Sequence, residues 1–283
     1  MESSAATQDP SLPRRPLLPK ALAGVLVLAG LAALRLKGFI VLLAEKVRLL
    51  LVNPFEGFGA TQYAIAAGSM ALTVAAYATS FRLGLVIGFV LITVIHEIGH
   101  AVVMRKKGLR VGFMVFIPFI GGAVTLKDQP RSAYDDAQIG LAGPIAGTLA
   151  SLASLAIWKS TANPLYLLIA FVGFGINLVN LLPIGMLDGG RISAAVTKWM
   201  WVFGGGVLVY KVVKQPNPLL IAILLLAAFQ VYASIMREKE DHFYEVTPGQ
   251  RAAIAVVYFS LVLFLGHQTF LAYDRIQSLV LGP

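Results

Sequence analysis

The 283-residue sequence contains no cysteine, and only 13% of its residues are charged. The first absence removes disulfides, thiolate metal sites and cysteine nucleophiles, so any metal must be held by His, Asp or Glu. The second excludes a water-soluble globular domain, which needs about a quarter of its residues charged to cover its surface. Apolar residues take the place of charge: 58% of the chain is hydrophobic and the mean hydropathy is +0.79. Such a surface is expected to be solvated mainly by a lipid bilayer. The 23 basic and 14 acidic residues leave a net charge of +9. The basic groups, among them Arg14, Arg15, Lys20, Arg105, Lys106, Lys107, Arg110, Arg237 and Lys239, punctuate apolar runs. They read as positive-inside topology signals, and no nucleic-acid partner is expected.

Stretches free of Asp, Glu, Lys and Arg cover residues 57–81, 137–158, 160–187, 215–236 and 252–273, each 22 residues or longer. A helix needs about 20 residues to cross a hydrocarbon core of about 30 Å, so each is a candidate span. Residues 83–104 make a sixth, apolar except for His96, Glu97 and His100 near its end. Residues 21–34 are apolar but short, 39–52 read as an interfacial amphipathic helix, and 191–213 are ambiguous, although a crossing there makes the topology consistent. The basic cluster after residue 104 assigns that end of the sixth span to the cytoplasm. Residues 108–128 differ: β-branched and aromatic residues, Pro118 and the Gly121-Gly122 pair predict short strands. Open strands cannot face lipid, so this segment is expected to line a cavity. The expected fold is an all-α polytopic membrane protein of six to eight helices with a short membrane-embedded β segment near 108–128. The expected organisation is a disordered tail at 1–20, an N-terminal anchor and interfacial helix at 21–62, a catalytic membrane core at 63–200 and C-terminal transmembrane helices at 201–283.

The sixth span contains His96-Glu97-Ile98-Gly99-His100, an HExxH pattern. Residues at i and i+4 stack on one helix face, so both imidazoles can bind one Zn2+ while Glu97 reaches a water activated by the ion. The bland alternative is two histidines at helical spacing that pack or hydrogen-bond within the bundle. It fits poorly, because burying a glutamate and two imidazoles among Leu, Ile and Val costs a few kcal/mol unless a partner such as a dication compensates. Two histidines leave a catalytic zinc one protein ligand short. Asp128, Asp135, Asp136, Asp188, Glu238, Glu240 and Glu245 are the downstream candidates. Asp188 stands out because it ends an uncharged stretch on the same membrane side as the histidines; its alternative role is a helix N-cap. Asp135 and Asp136 read as a helix start, Trp199, Trp201 and Phe203 as an interfacial belt, and His242 and His267 as unrelated to the metal.

The sequence resembles the site-2 protease family of intramembrane zinc metalloproteases. Three elements carry the resemblance: HEIGH at 96–100, the stretch from Ala137 through Gly143-Pro144 to Gly147, and Asn180-Leu-Leu-Pro183 running on to Asp188-Gly-Gly-Arg191. The resemblance implies that His96, His100 and Asp188 hold one zinc ion, that Glu97 is the general base and acid, and that Asn180 stabilises the oxyanion or positions substrate. Asn177, three residues earlier, is the alternative for that amide. Met186 stands where the family usually has a second proline, which bears on the local backbone path. No PDZ or CBS module fits in this chain, so gating is expected from the membrane core or another protein. The implied substrates are single-span membrane proteins, cut within or near a transmembrane helix. The implied location is a bacterial cytoplasmic membrane with the active site toward the cytoplasm. The strands near Gly121 and Gly122 offer a place to capture unwound substrate by β-augmentation, the alternative being a purely structural hairpin. Rival readings keep HExxH but take Glu238 or Glu240 as third ligand, or make the protein a metal carrier or silent scaffold.

Overall fold

The structure, a computed structural model, describes residues 59–281 except 119–120, 185–186, 198, 216–220, 222–223, 226 and 229–240. All described residues belong to one compact unit, Leu51–Pro283. The expectations for 1–20, 21–34 and 39–52 and most of the span at 215–236 lie outside the described residues, as do Gly185, Met186, Glu238 and Glu240.

Among the described residues the chain is mostly helical: α1 (Ala60–Ala78), α2 (Leu83–Lys106), β1 (Val111–Ile117), β2 (Gly121–Leu126), α3 (Ala133–Thr161), α4 (Pro164–Asn180), α5 (Asp188–Val196), α6 (Trp199–Lys214), a 3-10 turn (Asp241–Tyr244) and α7 (Pro248–Leu281). Three of the described helices, α2, α3 and α7, are long and apolar enough to cross a membrane. α4 is apolar but has 17 residues, about 25 Å of rise. The charge-free run 160–187 is therefore longer than its helix. Ala162 adopts the left-handed region (φ 54°), Asn163 caps Leu165 N–H at 3.0 Å, and the helix ends at Asn180 before Pro183. Residues 191–213 do not form one crossing either. Thr197 is extended (φ −166°, ψ 142°) and separates α5 from α6. α1 is not among the three apolar helices, because Gln62, Ser69 and Thr73 dilute its hydropathy.

α2 stops where its basic residues begin. Gly108 (φ 74°) follows the C-cap Lys107, with Gly108 N–H donating to Arg105 O and Leu109 N–H to Met104 O, a Schellman turn. Leu109 then packs into a small cluster with Ala101, Met104, Val111 and Ile139. α3 begins as read: Ser132 accepts from Asp135 N–H at 3.2 Å, and Asp135 and Asp136 lie on the positive end of the helix dipole.

β1 and β2 form an antiparallel hairpin in which Phe116 pairs with Gly122 and Ile117 with Gly121. β1 packs on α1 and β2 on α2. Phe116 N–H donates to Ser69 Oγ at 3.1 Å, tying β1 to α1. The short strands expected near 108–128 are thus present. The main core joins α3, α4, α5 and α7 around Leu141, Phe174, Leu181, Ile192, Tyr258 and Leu265. α7 keeps a largely outward apolar face, including Phe259, Leu263 and Phe270, a surface of the kind that lipid solvates.

Candidate active site

α2 brings His96 and His100 onto one face, with ring centroids 4.8 Å apart and ring planes at 79°. Their Nε2 atoms lie 3.1 Å from each other. Asp188, the first residue of α5, completes a triangle, with Oδ2 3.0 Å from His96 Nε2 and Oδ1 3.2 Å from His100 Nε2. All three side chains and Glu97 are buried. The N-cap of α5 is Leu187, without a side-chain cap, so Asp188 faces the imidazoles rather than the helix end.

The histidine tautomers follow from their other ring nitrogens. His100 Nδ1 lies 2.7 Å from the carbonyl oxygen of Ile139, which can only accept, so Nδ1 carries the proton. His96 Nδ1 lies 2.8 Å from Asn177 Oδ1, while Asn177 Nδ2 donates to Gly173 O at 2.7 Å; the amide is thereby oriented to accept from His96. In that tautomer each Nε2 can offer its lone pair to a metal ion set between the two rings and Asp188. Such outer-shell bonds are what orient metal-binding imidazoles. Each Nε2 lies 3.0–3.2 Å from a different oxygen of the Asp188 carboxylate, and one ligand atom from each of the three residues falls within 4.8 Å of the others, a two-imidazole, one-carboxylate set of the kind that holds a zinc ion.

α3 makes this convergence sterically possible. A Cβ at Gly143 would lie 2.7 Å from His96 Nε2 and still closer to His100 Nε2. The glycine thus leaves the donor triangle open. Other acids near the site are matched elsewhere: Asp135 with Lys107 (2.5 Å), Asp136 with Arg191 (2.7 Å) and Asp128 with Arg110 (2.6 Å). The Asp136–Arg191 pair ties the start of α3 to α5, three residues past Asp188. Glu245 is exposed and pairs with His242, and His267 is exposed on α7.

A cleft of about 30 Å3, space for about one water, lies beside the donor triangle. Ile92, Thr93, His96, Glu97, Gly121, Gly122, Ile176 and Asn180 line it. Glu97 and Asn180 therefore face one space, with Gly122 so close that a Cβ there would sit 2.8 Å from Glu97 Cγ. The two amides weighed from the sequence occupy different places: Asn177 braces His96 in the interior, and Asn180 borders the cleft.

Several supporting residues were invisible in sequence. The Ile139 contribution is a backbone carbonyl, which leaves no signature in residue type. Trp201, read as part of an interfacial belt, turns its indole N–H onto Gly190 O at 2.8 Å and braces α5, while Trp199 is exposed. Tyr258 on α7 donates its hydroxyl to Leu181 O at 2.6 Å, and Arg251 donates to Val196 O, so α7 holds the Asp188 segment on both sides.

Residues 84–163 match the family model of peptidase family M50, a stretch that contains His96, Glu97, His100, the hairpin and α3. A zinc metalloprotease of Methanocaldococcus jannaschii (strain ATCC 43067 / DSM 2661 / JAL-1 / JCM 10045 / NBRC 100440) is 28% identical over 108 residues, which is 36% of this chain. The match spans 31% of that relative's length.

Proposed function

The chain belongs to the site-2 protease family of metallopeptidases, and from that membership we propose that it is an intramembrane endopeptidase. It hydrolyses a peptide bond within or near the transmembrane helix of a single-span membrane protein, as in regulated intramembrane proteolysis, and resides in a bacterial cytoplasmic membrane with its active site toward the cytoplasm. One observation carries this reading. Two imidazole nitrogens and a glutamate on a helix apolar enough to span a bilayer meet the Asp188 carboxylate of α5, with each Nε2 within 3.2 Å of a carboxylate oxygen.

His96, His100 and Asp188 would hold one zinc ion, which when bound supplies Lewis acidity to the water and to the scissile carbonyl. Asn177 and the Ile139 carbonyl keep both imidazoles in the tautomer that offers Nε2. Glu97 takes a proton from the attacking water and returns it to the amide nitrogen as the C–N bond breaks. Asn180 donates its amide N–H to the carbonyl oxygen as negative charge grows there. A transmembrane helix keeps its carbonyls in i to i−4 hydrogen bonds, so the substrate must first unwind. β2, with Gly121 and Gly122 at the cleft, receives the unwound stretch as an added strand, whose main-chain bonds ignore side-chain identity.

The test is to purify wild type, Glu97→Ala and Asp188→Ala in detergent and measure bound zinc together with cleavage of a single-span substrate. Glu97→Ala is expected to keep zinc and lose cleavage, and Asp188→Ala to lose zinc. Full zinc in Asp188→Ala would overturn the ligand set in favour of another acid. Normal zinc in all three with no cleavage by wild type on several substrates would make the protein a metal carrier or scaffold.

A further inference from the structure

A second cavity, about 270 Å3 and almost wholly apolar, is lined by Tyr77, Phe81, Leu85, Val86, Phe89, Val172 and Ile176. The space is a groove open on one side, with Phe81 exposed at its edge, and its lining offers mainly apolar contact to whatever enters it. Apolar cavities of about 150 Å3 already hold benzene, so this one is large enough for a phenylalanine or leucine side chain.

Its position says which occupant. Both of its long walls continue into the catalytic cleft. On α2, Phe89, Thr93 and Glu97 follow at steps of four and share a helix face; Phe89 lines the apolar cavity, and Thr93 and Glu97 line the cleft. On α4, Val172, Ile176 and Asn180 follow at the same steps, and Ile176 belongs to both spaces. The third side is α1 at the apolar end and the hairpin at the catalytic end, joined by the Ser69–Phe116 hydrogen bond. The two spaces therefore lie end to end along α2 and α4 with Ile176 between them, the chemistry at one end of this trough and an aromatic-rimmed pocket at the other. Tyr77 and Phe89 meet edge to face at 5.4 Å on that rim.

We propose that this pocket is a specificity site for the substrate, receiving a large apolar side chain about four residues from the scissile bond and on one side of it only. The inference rests on the proteolytic reading above. Phe89 and Glu97 are eight residues apart, about 12 Å along α2, and an extended substrate covers that distance in about four residues at about 3.3 Å each. β-pairing at the hairpin would supply affinity without regard to sequence, and the pocket would then select which stretch of an apolar helix is presented to Glu97.

The experiment uses the full-length zinc-loaded protein in detergent and a single-span substrate with a mapped cut. Each position within six residues of that cut is set in turn to Ala, to Phe and to Trp. Wild type is expected to show one position, about four residues away, where Phe exceeds Ala by about tenfold or more in kcat/KM. Val172→Trp, which fills the trough, is expected to reverse that preference at the same position alone, and Phe89→Ala, which widens it, to shift the preference toward Trp. Zinc content of each variant reports whether the site has stayed intact. A flat scan in a wild type that cleaves would overturn the pocket and leave the protease reading standing. A position-dependent scan that Val172→Trp and Phe89→Ala leave unchanged would also overturn it, as would a lipid that co-purifies with wild type and is displaced in Val172→Trp without altering the scan. Wild type and Glu97→Ala equally inactive on every substrate would instead sink the proteolytic reading.

Discussion

Asn177 and Asn180 carry the same amide three residues apart on one apolar helix, yet the fold gives them separable tasks. Asn177→Ala removes the acceptor that fixes the His96 tautomer. It should weaken zinc binding by about 10- to 100-fold, read by competition with a chromophoric chelator. Asn180→Ala should keep zinc and lower kcat by about 10²–10³, the usual cost of one oxyanion donor. Equal effects of the two variants on zinc would contradict the division. Sequence spacing could not separate these residues, because the choice depends on where α2 and β2 lie around α4. A similar argument applies to Tyr258, whose buried hydroxyl bonds the Leu181 carbonyl. Tyr258→Phe leaves that carbonyl without its donor and should cost about 1–3 kcal/mol, seen as a lower Tm in detergent. His96, Glu97 and His100 were legible because i, i+4 geometry is local. Asp188 was legible because few acids interrupt the apolar runs.

The hairpin was legible as β-branched and aromatic residues broken by Pro118 and paired glycines, but its register was not, since pairing is set by α1 and α2 on either side. Gly122→Val pushes a side chain against Glu97. It should abolish most cleavage while leaving bound zinc unchanged, and undiminished turnover would show that the hairpin does not shape the cleft. The open base of the hairpin is clasped by Arg110, whose guanidinium holds the Asp128 carboxyl down to about 2. A depressed carboxylate pKa stabilises the fold above its unfolded value of about 3.9 and loses that contribution as pH falls through about 2. The clasp is exposed and salt will weaken it. NMR titration of Asp128 should show the low midpoint, and Arg110→Ala should return it toward about 3.9. The helix ends were the least legible elements. Counting charge-free residues finds apolar length, but the run is broken at Ala162, which ends α3, and α4 stops at the turn that begins with Leu181, and neither changes the charge count.

The donor triangle joins two helices, α2 and α5, each of which packs on α3. Stripping the metal would leave two imidazoles and a carboxylate facing one another in the interior, so chelation should lower the Tm and added zinc restore it. At free zinc about 1,000 times Kd the gain is about 4 kcal/mol. A Tm indifferent to zinc would mean that the triangle binds nothing in the folded state. The brace from α7 carries a consequence for how the protein is made. His96 and His100 leave the ribosome first, Asp188 well after them, and Tyr258 and Arg251 later still. The backbone that presents Asp188 has its hydroxyl and guanidinium partners only when α7 has been synthesised. A nascent chain halted before that helix carries His96, Glu97, His100 and Asp188 without the brace that aims them, so the site is expected to take its final geometry only after the last described helix has been made.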